Sequence, residues 1–291
     1  MAMSDTTKSA CDACSSKGSC TSDPETCGTT ERNEQQEKIK NNLAVIKNRI
    51  AIVSGKGGVG KSTVTAGIAL ALAKNGYSVG ILDADVSGPN MPHLMGVETK
   101  KMEACGDGLI PVEAPYGIKV VSIESLIESS DSPVIWRGPI RSSLINQFLS
   151  DVLWGELDFL LVDLPPGTGD EPLSIMQTIP LTGLVVVSTP SNLSILDVSK
   201  IVNMANMMKV KILGVVENMA YYECPGCSMK VFPFGEGTVK RLCEKYGLTL
   251  LGSIPIDAAN GGKDVITQSK ESSLTKGTGD IADRILKMIK G

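Results

Sequence analysis

One glycine-rich stretch constrains the fold of this chain more than any other feature. Residues 54–63 have the sequence SGKGGVGKST, and Gly55 to Ser62 match the pattern G-x-x-x-x-G-K-[ST]. The stretch follows the apolar, β-branched run at 50–53 and opens an alanine- and leucine-rich segment with helical spacing. This order of strand, loop and helix is the context that the phosphate-binding P-loop pattern requires.

The residue types of this loop have a chemical purpose. Glycines allow consecutive backbone N–H groups to turn inward around a phosphate, and the following helix directs its positive end at the same anion. Lys61 is expected to reach the β- and γ-phosphates, and the hydroxyl of Ser62 to ligate Mg²⁺. The sequence therefore predicts a nucleoside triphosphate site lined by Gly55, Lys56, Gly57, Gly58, Val59, Gly60, Lys61, Ser62 and Thr63.

The composition of the chain argues against several classes of function. The net charge of −4 and the pI near 5.2 argue against broad electrostatic binding of nucleic acid. No apolar run approaches the roughly 18 residues that a membrane span needs, and the first residues lack the apolar core of a signal peptide. We therefore expect a cytoplasmic protein that binds neither nucleic acid nor membrane. In that compartment, eight cysteines favour metal or redox chemistry over structural disulfides.

The first 30 residues form a polar, small-residue tail without apolar periodicity. A tail of this kind cannot bury a core, and we expect it to be disordered unless a metal ligates it. Its four cysteines, spaced C-x2-C-x5-C-x6-C, are Cys11, Cys14, Cys20 and Cys27. Four thiolates can hold a 4Fe-4S cluster or one Zn²⁺, although four unrelated thiols are also possible. Residues 31–48 are rich in charged residues and have apolar residues at helical spacing, so they are predicted to form a linker helix.

From residue 49 to 291, strand and helix patterns alternate. The apolar, β-branched runs lie at 49–54, 79–84, 118–123, 159–164, 183–188, 211–216 and 249–254. Runs without period-2 alternation are typical of strands buried on both faces of a parallel sheet. The predicted fold is a doubly wound α/β domain with a mostly parallel sheet, and its ligands should lie beyond the carboxyl ends of the strands.

Four polar side chains follow these predicted strands. Asp83 and Asp85 come after the second run; we expect Asp83 to face the metal, and Asp85 to position water or to act as general base. Asp163 ends the fourth run and is predicted to hold Mg²⁺ through water, as a Walker B carboxylate does. Asn218 is predicted to hydrogen-bond the edge of a nucleobase.

A second cysteine motif, Cys224-Pro-Gly-Cys227, lies on a predicted loop. It could be a redox dithiol, although a thioredoxin-like context is missing, or half of a zinc ribbon whose other half is missing. It could also be half of a metal site that a second copy of the chain completes. Two cysteines from each of two subunits supply the four thiolates of a 4Fe-4S cluster, and twofold symmetry produces that geometry directly.

Taken together, the motifs resemble the Mrp/ApbC-type P-loop ATPases, which are cytosolic iron–sulfur cluster carriers of the MinD/ParA/nitrogenase-iron-protein class. The resemblance covers roughly residues 40 to 290. It rests on the deviant Walker A sequence KGGVGKS at 56–62, DADVSGP at 83–89, WRGP at 136–139, DLPPGTGD at 163–170, ENM at 217–219, CPGC at 224–227 and FGEG at 234–237.

The resemblance implies a slow ATPase in which nucleotide binding is a conformational signal. It implies that Lys56 reaches across a homodimer to the partner's phosphates, in the manner of an arginine finger. It also implies that Cys224 and Cys227 bridge a labile 4Fe-4S cluster between subunits, for delivery to apo-proteins. Eukaryotic carriers with an N-terminal ferredoxin-like motif have the pattern C-x13-C-x2-C-x5-C. Cys11, Cys14 and Cys20 match its last three positions, but no cysteine precedes Cys11. Cys27 would then have to be the fourth ligand, or Cys20 and Cys27 could serve differently.

Two other functions fit the same fold. An electron donor of the nitrogenase-iron-protein type would keep its cluster through turnover, whereas a carrier would lose it to an acceptor. A spatial regulator of the MinD/ParA type would cycle on a membrane or on DNA. The membrane alternative depends on the amphipathic C-terminal segment, whose apolar face is formed by Ile281, Ile285, Met288 and Ile289.

Overall fold

The computed structural model describes residues 24–127, 138–224, 226–256, 265–266 and 272–290, with side chains except at 24–32, 138–139 and 192–195. The helices are α1 Pro24–Ala44, α2 Lys61–Lys74, α3 Met91–Leu94, α4 Gly138–Asp151, α5 Asp170–Thr178, α6 Asn192–Met208, α7 Thr238–Tyr246 and α8 Ser273–Lys290. The strands are β1 Ile46–Val53, β2 Val79–Asp83, β3 Glu103–Cys105, β4 Gly108–Ile110, β5 Val112–Ala114, β6 Ile118–Val121, β7 Leu157–Asp163, β8 Gly183–Ser188, β9 Ile212–Glu223, β10 Lys230–Val231 and β11 Leu250–Ile256.

Within the described ranges, nine strands form one central sheet, and its parallel strands run in the order β6-β2-β7-β1-β8-β9-β11. The short strands β5 and β10 are antiparallel additions to β6 and β9. Each of the predicted apolar runs is one of the parallel strands, which confirms the doubly wound α/β prediction. The short strands β3, β4, β5 and β10 were not predicted, because two or three residues carry no periodicity.

The C-terminal helix belongs to the domain. In α8 the apolar residues Leu274, Ile281 and Ile285 are buried, and the helix packs against α2 and β11. The amphipathic pattern that raised the membrane alternative is therefore explained by packing against the sheet. None of the helices within the described ranges is long and apolar enough to cross a membrane.

Helix α1 differs in its bounds from the predicted linker helix at 31–48. It begins at Pro24 and ends at Ala44, so that β1 already begins at Ile46. It is docked on the domain, since the Asn42 side-chain amide donates to the Ser150 carbonyl at the end of α4 over 2.8 Å. Of the tail cysteines, Cys11, Cys14 and Cys20 lie outside the described residues, and Cys27 lies in α1 without a described side chain.

Candidate nucleotide site and thiol hairpin

The carboxyl ends of the parallel strands bring the predicted polar residues to one edge of the sheet. The P-loop, residues 54–62, joins the end of β1 to α2. Asp83 at the end of β2 lies directly opposite Asp163 at the end of β7 in the ladder. Ile52 of β1 pairs with the same Asp163 from the other side. Three neighbouring strands therefore deliver the loop and two carboxylates to one place, as the doubly wound fold requires.

The P-loop has the backbone that a phosphate cradle needs. Gly58 and Gly60 have φ angles of 77° and 79°, in the left-handed region that favours glycine. A Cβ built on Gly58 would have no neighbour within 4 Å, so the loop leaves open space on that side. Gly60 caps α2, and the Val64 N–H donates to its carbonyl. The positive end of the helix therefore faces the open loop.

The site contains a buried ion pair between two residues of the same chain. Lys61 Nζ lies 2.7 Å from Asp163 Oδ2, and both side chains are less than a tenth exposed. The Ser62 hydroxyl donates to the same oxygen over 2.6 Å. The Thr65 hydroxyl donates to the other oxygen, Oδ1, over 2.8 Å. The pair compensates the cost of burying two charges, and it holds the predicted Walker A lysine and the predicted Walker B carboxylate together.

Asp83 is a fully buried carboxylate with several donors. Its oxygens accept from the backbone N–H groups of Asp85 and Met91 and from the Ser122 hydroxyl, each over 3.2 Å. Burial, together with the neighbouring charge of Asp163, raises the pKa of Asp83 to about 7. Asp83 therefore shapes the loop from Ala84 to Asn90, and its charge responds to what happens at Asp163.

Asp85 lies in that loop and is half-buried. Burial raises the pKa of its carboxyl, while the positive charge of Lys61 opposes the rise. A carboxylate with a raised pKa is a better proton acceptor than an ordinary one, which suits the role of general base. Its assignment to water positioning stays a prediction.

Lys56, the first of the two lysines in the loop, contacts a residue of its own chain. Its Nζ lies 3.2 Å from the Ser191 hydroxyl, just before α6. The loop also packs against α6, since a Cβ on Gly55 would overlap Asp197. In the loop that follows Asp163, the backbone N–H groups of Gly167 and Thr168 would be candidates for contact with the γ-phosphate. The N–H of Gly167 instead donates to the Ser54 carbonyl over 2.8 Å and ties that loop to the P-loop.

Asn218 lies within β9 rather than at a strand end. Its side-chain amide donates to the Val59 carbonyl of the P-loop over 2.8 Å, and the residue is buried. The predicted contact with a nucleobase stays a prediction, and the structure adds a role in holding the P-loop.

The second cysteine motif lies at the tip of a hairpin that begins at the end of β9. The thiol hairpin, residues 222–231, joins β9 to β10. The Cys224 N–H donates to the Met229 carbonyl over 3.0 Å, and the Ser228 N–H donates to the Cys224 carbonyl over 2.8 Å. Backbone N–H groups of Gly226 and Cys227 lower the pKa of the Cys224 thiol, which favours the thiolate that metals bind.

The hairpin is open to solvent. Cys227 is exposed and Cys224 is partly exposed, and neither forms a disulfide. The adjoining Met229 and Val231 are exposed as well. Within the described residues, His, Cys, Asp and Glu form no metal-binding group of three or more. Each chain thus offers two thiol ligands at this tip.

We call the sheet edge that carries the P-loop, Asp83 and Asp163 the nucleotide edge. Sequence reasoning missed several of its residues. Thr65 could have been found, because it lies four residues after Lys61 on the same face of α2. Ser122 directly follows β6 at the same edge of the sheet, where any polar residue is a candidate. Ser191 gave no signal, since its contact with Lys56 depends on how α6 packs. The two remaining cysteines have no partner cysteine close in sequence: Cys243 is buried, as a structural thiol would be, whereas Cys105 is exposed.

Comparison with known families gives a match over most of the chain. The family described as ParA: NUBPL iron-transfer P-loop NTPase matches residues 45–286. An iron-sulfur cluster carrier protein from Methanocaldococcus jannaschii is 48% identical over 85% of this chain and 84% of its own length. A cytosolic Fe-S cluster assembly factor NUBP1 homolog from Caenorhabditis briggsae is 43% identical over 85% of this chain and 83% of its own length.

Solved structures agree with this match. A nucleotide-binding protein from Archaeoglobus fulgidus, solved in complex with ADP, superposes with a TM-score of 0.70 and is 45% identical; the match covers 84% of this chain and 92% of that one. The septum site-determining protein MinD from Pyrococcus horikoshii superposes with a TM-score of 0.61 over 84% of this chain and 99% of its own. At 22% identity, that likeness shows the fold alone.

Proposed function

The chain belongs to the NUBPL iron-transfer P-loop NTPases of the ParA class, and from this premise we propose that it is an ATP-dependent iron–sulfur cluster carrier. Two copies hold one 4Fe-4S cluster between their Cys224 and Cys227 thiolates and deliver it to apo-proteins. The cluster is the cargo of this reaction. The relatives named as iron-sulfur cluster carriers support the proposal, and the relative named as a cytosolic assembly factor supports a cytoplasmic setting.

The observation that carries the proposal is the thiol hairpin. Two cysteines at an exposed tip, one with a lowered pKa, supply half of the thiolates that a 4Fe-4S cluster needs. A second hairpin related by a twofold axis supplies the other half. Exposure suits a cargo site, because an acceptor protein must reach the cluster. A cluster held by two chains is also released when the chains separate.

The residues of the nucleotide edge fit Mg-ATP. Ser62 and Asp163 are hard oxygen donors of the kind that Mg²⁺ prefers, and they would hold the ion. Mg²⁺ supplies positive charge that neutralises the phosphates when it is bound. Lys61 then exchanges Asp163 for the β- and γ-phosphates, and the glycine loop binds the phosphates through its N–H groups. Asp85 orients the attacking water and accepts its proton, while Asn218 supports the loop and contacts the base.

Hydrolysis in this proposal is slow, and the nucleotide acts as a switch. Lys56 leaves Ser191 and reaches the phosphates of the partner chain, so that ATP draws the two P-loops together. The same approach changes the geometry of the two thiol hairpins that hold the cargo. After hydrolysis, the chains loosen and the cluster is free to transfer.

Anaerobic reconstitution tests the proposal. Wild-type protein, Cys224→Ala/Cys227→Ala and Cys105→Ala are loaded with iron and sulfide and mixed with an apo-enzyme that requires a 4Fe-4S cluster. We expect wild type and Cys105→Ala to activate the acceptor, and the double variant to fail while still hydrolysing ATP. Equal cluster binding and transfer by all three proteins would refute the proposal. Retention of the cluster through ATP turnover with an acceptor present would favour an electron donor instead.

A further inference from the structure

A backbone outlier lies between the P-loop and the thiol hairpin. Met219 has a φ of 57°, although it lies inside β9 and has an unbranched, bulky side chain. The left-handed conformation is unfavourable for a residue with a side chain of this size, because its Cβ comes close to the following carbonyl oxygen. Such outliers persist where the surrounding structure fixes them, and they concentrate at functional sites.

The surroundings of Met219 connect it to the phosphate cradle. A Cβ built on Gly60 would overlap Asn218 Nδ2 and would lie 3.7 Å from Met219 Cε. Asn218 also donates to the Val59 carbonyl. The two neighbours in β9 therefore fill the space behind the last two loop residues before Lys61. A shift of the P-loop backbone on phosphate binding would push directly on them.

The strand is irregular at the same point. Ile254 of β11 pairs with Asn218, but Ile256, two residues later, pairs with Tyr222, four residues later. β9 therefore contains extra residues between Asn218 and Tyr222. Its pairing with β8 also ends just before, at Glu217. Bulges of this kind re-aim the chain that follows them.

Beyond the bulge, the chain is regular again and leads to the thiols. Tyr222 and Glu223 pair with Val231 and Lys230 of β10, and Cys224 follows at once. Cys224 lies two residues beyond Tyr222, about 7 Å past the bulge along an extended strand. The chain between the bulge and the thiols is therefore fixed by strand pairing, and a small rotation at the bulge would move the thiols with it.

We propose that Met219 is a positioning residue that couples nucleotide occupancy of the P-loop to the arrangement of Cys224 and Cys227. The strained Asn218–Met219 step works as a hinge between two rigid parts, the P-loop with its strand and the thiol hairpin. This inference rests on the proposed function, because it assigns the route by which ATP controls the cargo site.

Thiol alkylation in the cluster-free full-length protein tests the coupling. Iodoacetamide labelling of Cys224 and Cys227 is followed by peptide mass spectrometry, with saturating Mg-AMPPNP and with no nucleotide. We expect the nucleotide to change the wild-type labelling rate about fivefold or more, within the usual range of coupling between sites. In Met219→Ala, which lacks the side-chain end that lies beside Gly60, and in Met219→Gly, which also relieves the strain, the two rates should agree within about twofold.

A matched control relieves similar strain elsewhere. Lys209→Gly relieves the strain of a φ of 54° at the end of α6, away from the hairpin, and should keep the wild-type ratio. Nucleotide binding is measured for every variant, so that lost coupling is not confused with lost affinity. A wild-type ratio near one, or a wild-type ratio preserved in both Met219 variants, would overturn the coupling. Absence of a hairpin cluster in reconstituted wild type would instead refute the carrier function, whatever the labelling rates are.

Discussion

The nucleotide edge and the thiol hairpin lie at the same end of the sheet but are built in opposite ways. At the nucleotide edge, Lys61, Asp83 and Asp163 are buried and compensated by hydrogen bonds or an ion pair within the chain. At the hairpin, Cys227 and Met229 are exposed, and two thiols stand without further ligands from their own described residues.

This difference follows from the energetics of each chemistry. Buried charges cost several kcal/mol each unless a partner is close, so a phosphate site must be assembled inside one chain before the ligand arrives. Exposed thiols carry no such cost, and their site can remain half-built until another chain approaches. We therefore regard the P-loop as a site that one chain largely builds and to which its partner adds Lys56, and we propose that the hairpin is a site that two chains share.

Lys61→Ala should have the largest effect and should separate the two regions. Loss of the phosphate-binding cation is expected to lower ATP hydrolysis by about 10²–10³-fold, as for other groups that stabilise transition-state charge. The cluster content of reconstituted protein should stay near that of wild type. Lys47→Ala is the control, since Lys47 pairs with Asp158 on the exposed, opposite edge of the sheet. Phosphate release measures ATP hydrolysis, and iron analysis measures cluster content. A wild-type rate of hydrolysis in Lys61→Ala would contradict the assignment of Lys61 as the phosphate-binding lysine.

Mixing two inactive variants asks whether the nucleotide site also needs its partner. If Lys56 acts across the dimer, Lys56→Ala and Lys61→Ala chains complement each other, because one site of the mixed dimer has both lysines. An equal mixture should recover about a quarter of wild-type hydrolysis, since half of the dimers are mixed and each has one competent site. No recovery would mean that Lys56 acts on its own chain's nucleotide, where it now contacts Ser191.

Met229→Ser tests whether the exposed hairpin meets a second copy. Met229 is 61% exposed beside the thiols, and its burial between two chains would stabilise the dimer. We expect the dimer of the cluster-loaded protein to dissociate about tenfold more readily in sedimentation experiments. Met207→Ser, which removes a 78% exposed methionine on α6, should have no effect. Equal effects of the two substitutions would remove the hairpin from the interface.

The pH dependence of stability probes the buried carboxylates. Because the pKa of Asp83 is raised to about 7, the folded chain binds more protons than the unfolded chain between about pH 4 and pH 7. This group's contribution to the free energy of unfolding therefore decreases as pH rises through that window, by about 1 kcal/mol per pH unit. Asp83→Asn should lose this slope in urea titrations of metal-free, nucleotide-free protein. An unchanged slope would show that Asp83 ionises normally.

The sequence predicted the nucleotide edge better than it predicted the connections of the hairpin. The P-loop, Asp83 and Asp163 were identifiable because glycine spacing and strand-end carboxylates are local signals. The seven long apolar runs likewise predicted the parallel sheet. The Asn218 contact with Val59 and the bulge at Met219 depend on how distant strands pair, and no local pattern encodes them. The start of α1 at Pro24 was missed because its first turns have no apolar periodicity.

The stoichiometry of the hairpin cluster tests the shared site most directly. The tail thiols are removed by the substitutions Cys11→Ser, Cys14→Ser, Cys20→Ser and Cys27→Ser, and the full-length protein is reconstituted anaerobically. Native mass spectrometry with iron and sulfide analysis then gives the cluster content of each oligomer. We predict one 4Fe-4S cluster per dimer, or about two iron atoms per chain, and cluster-free monomers. A cluster of about four iron atoms retained by a monomer would contradict a site that two chains share.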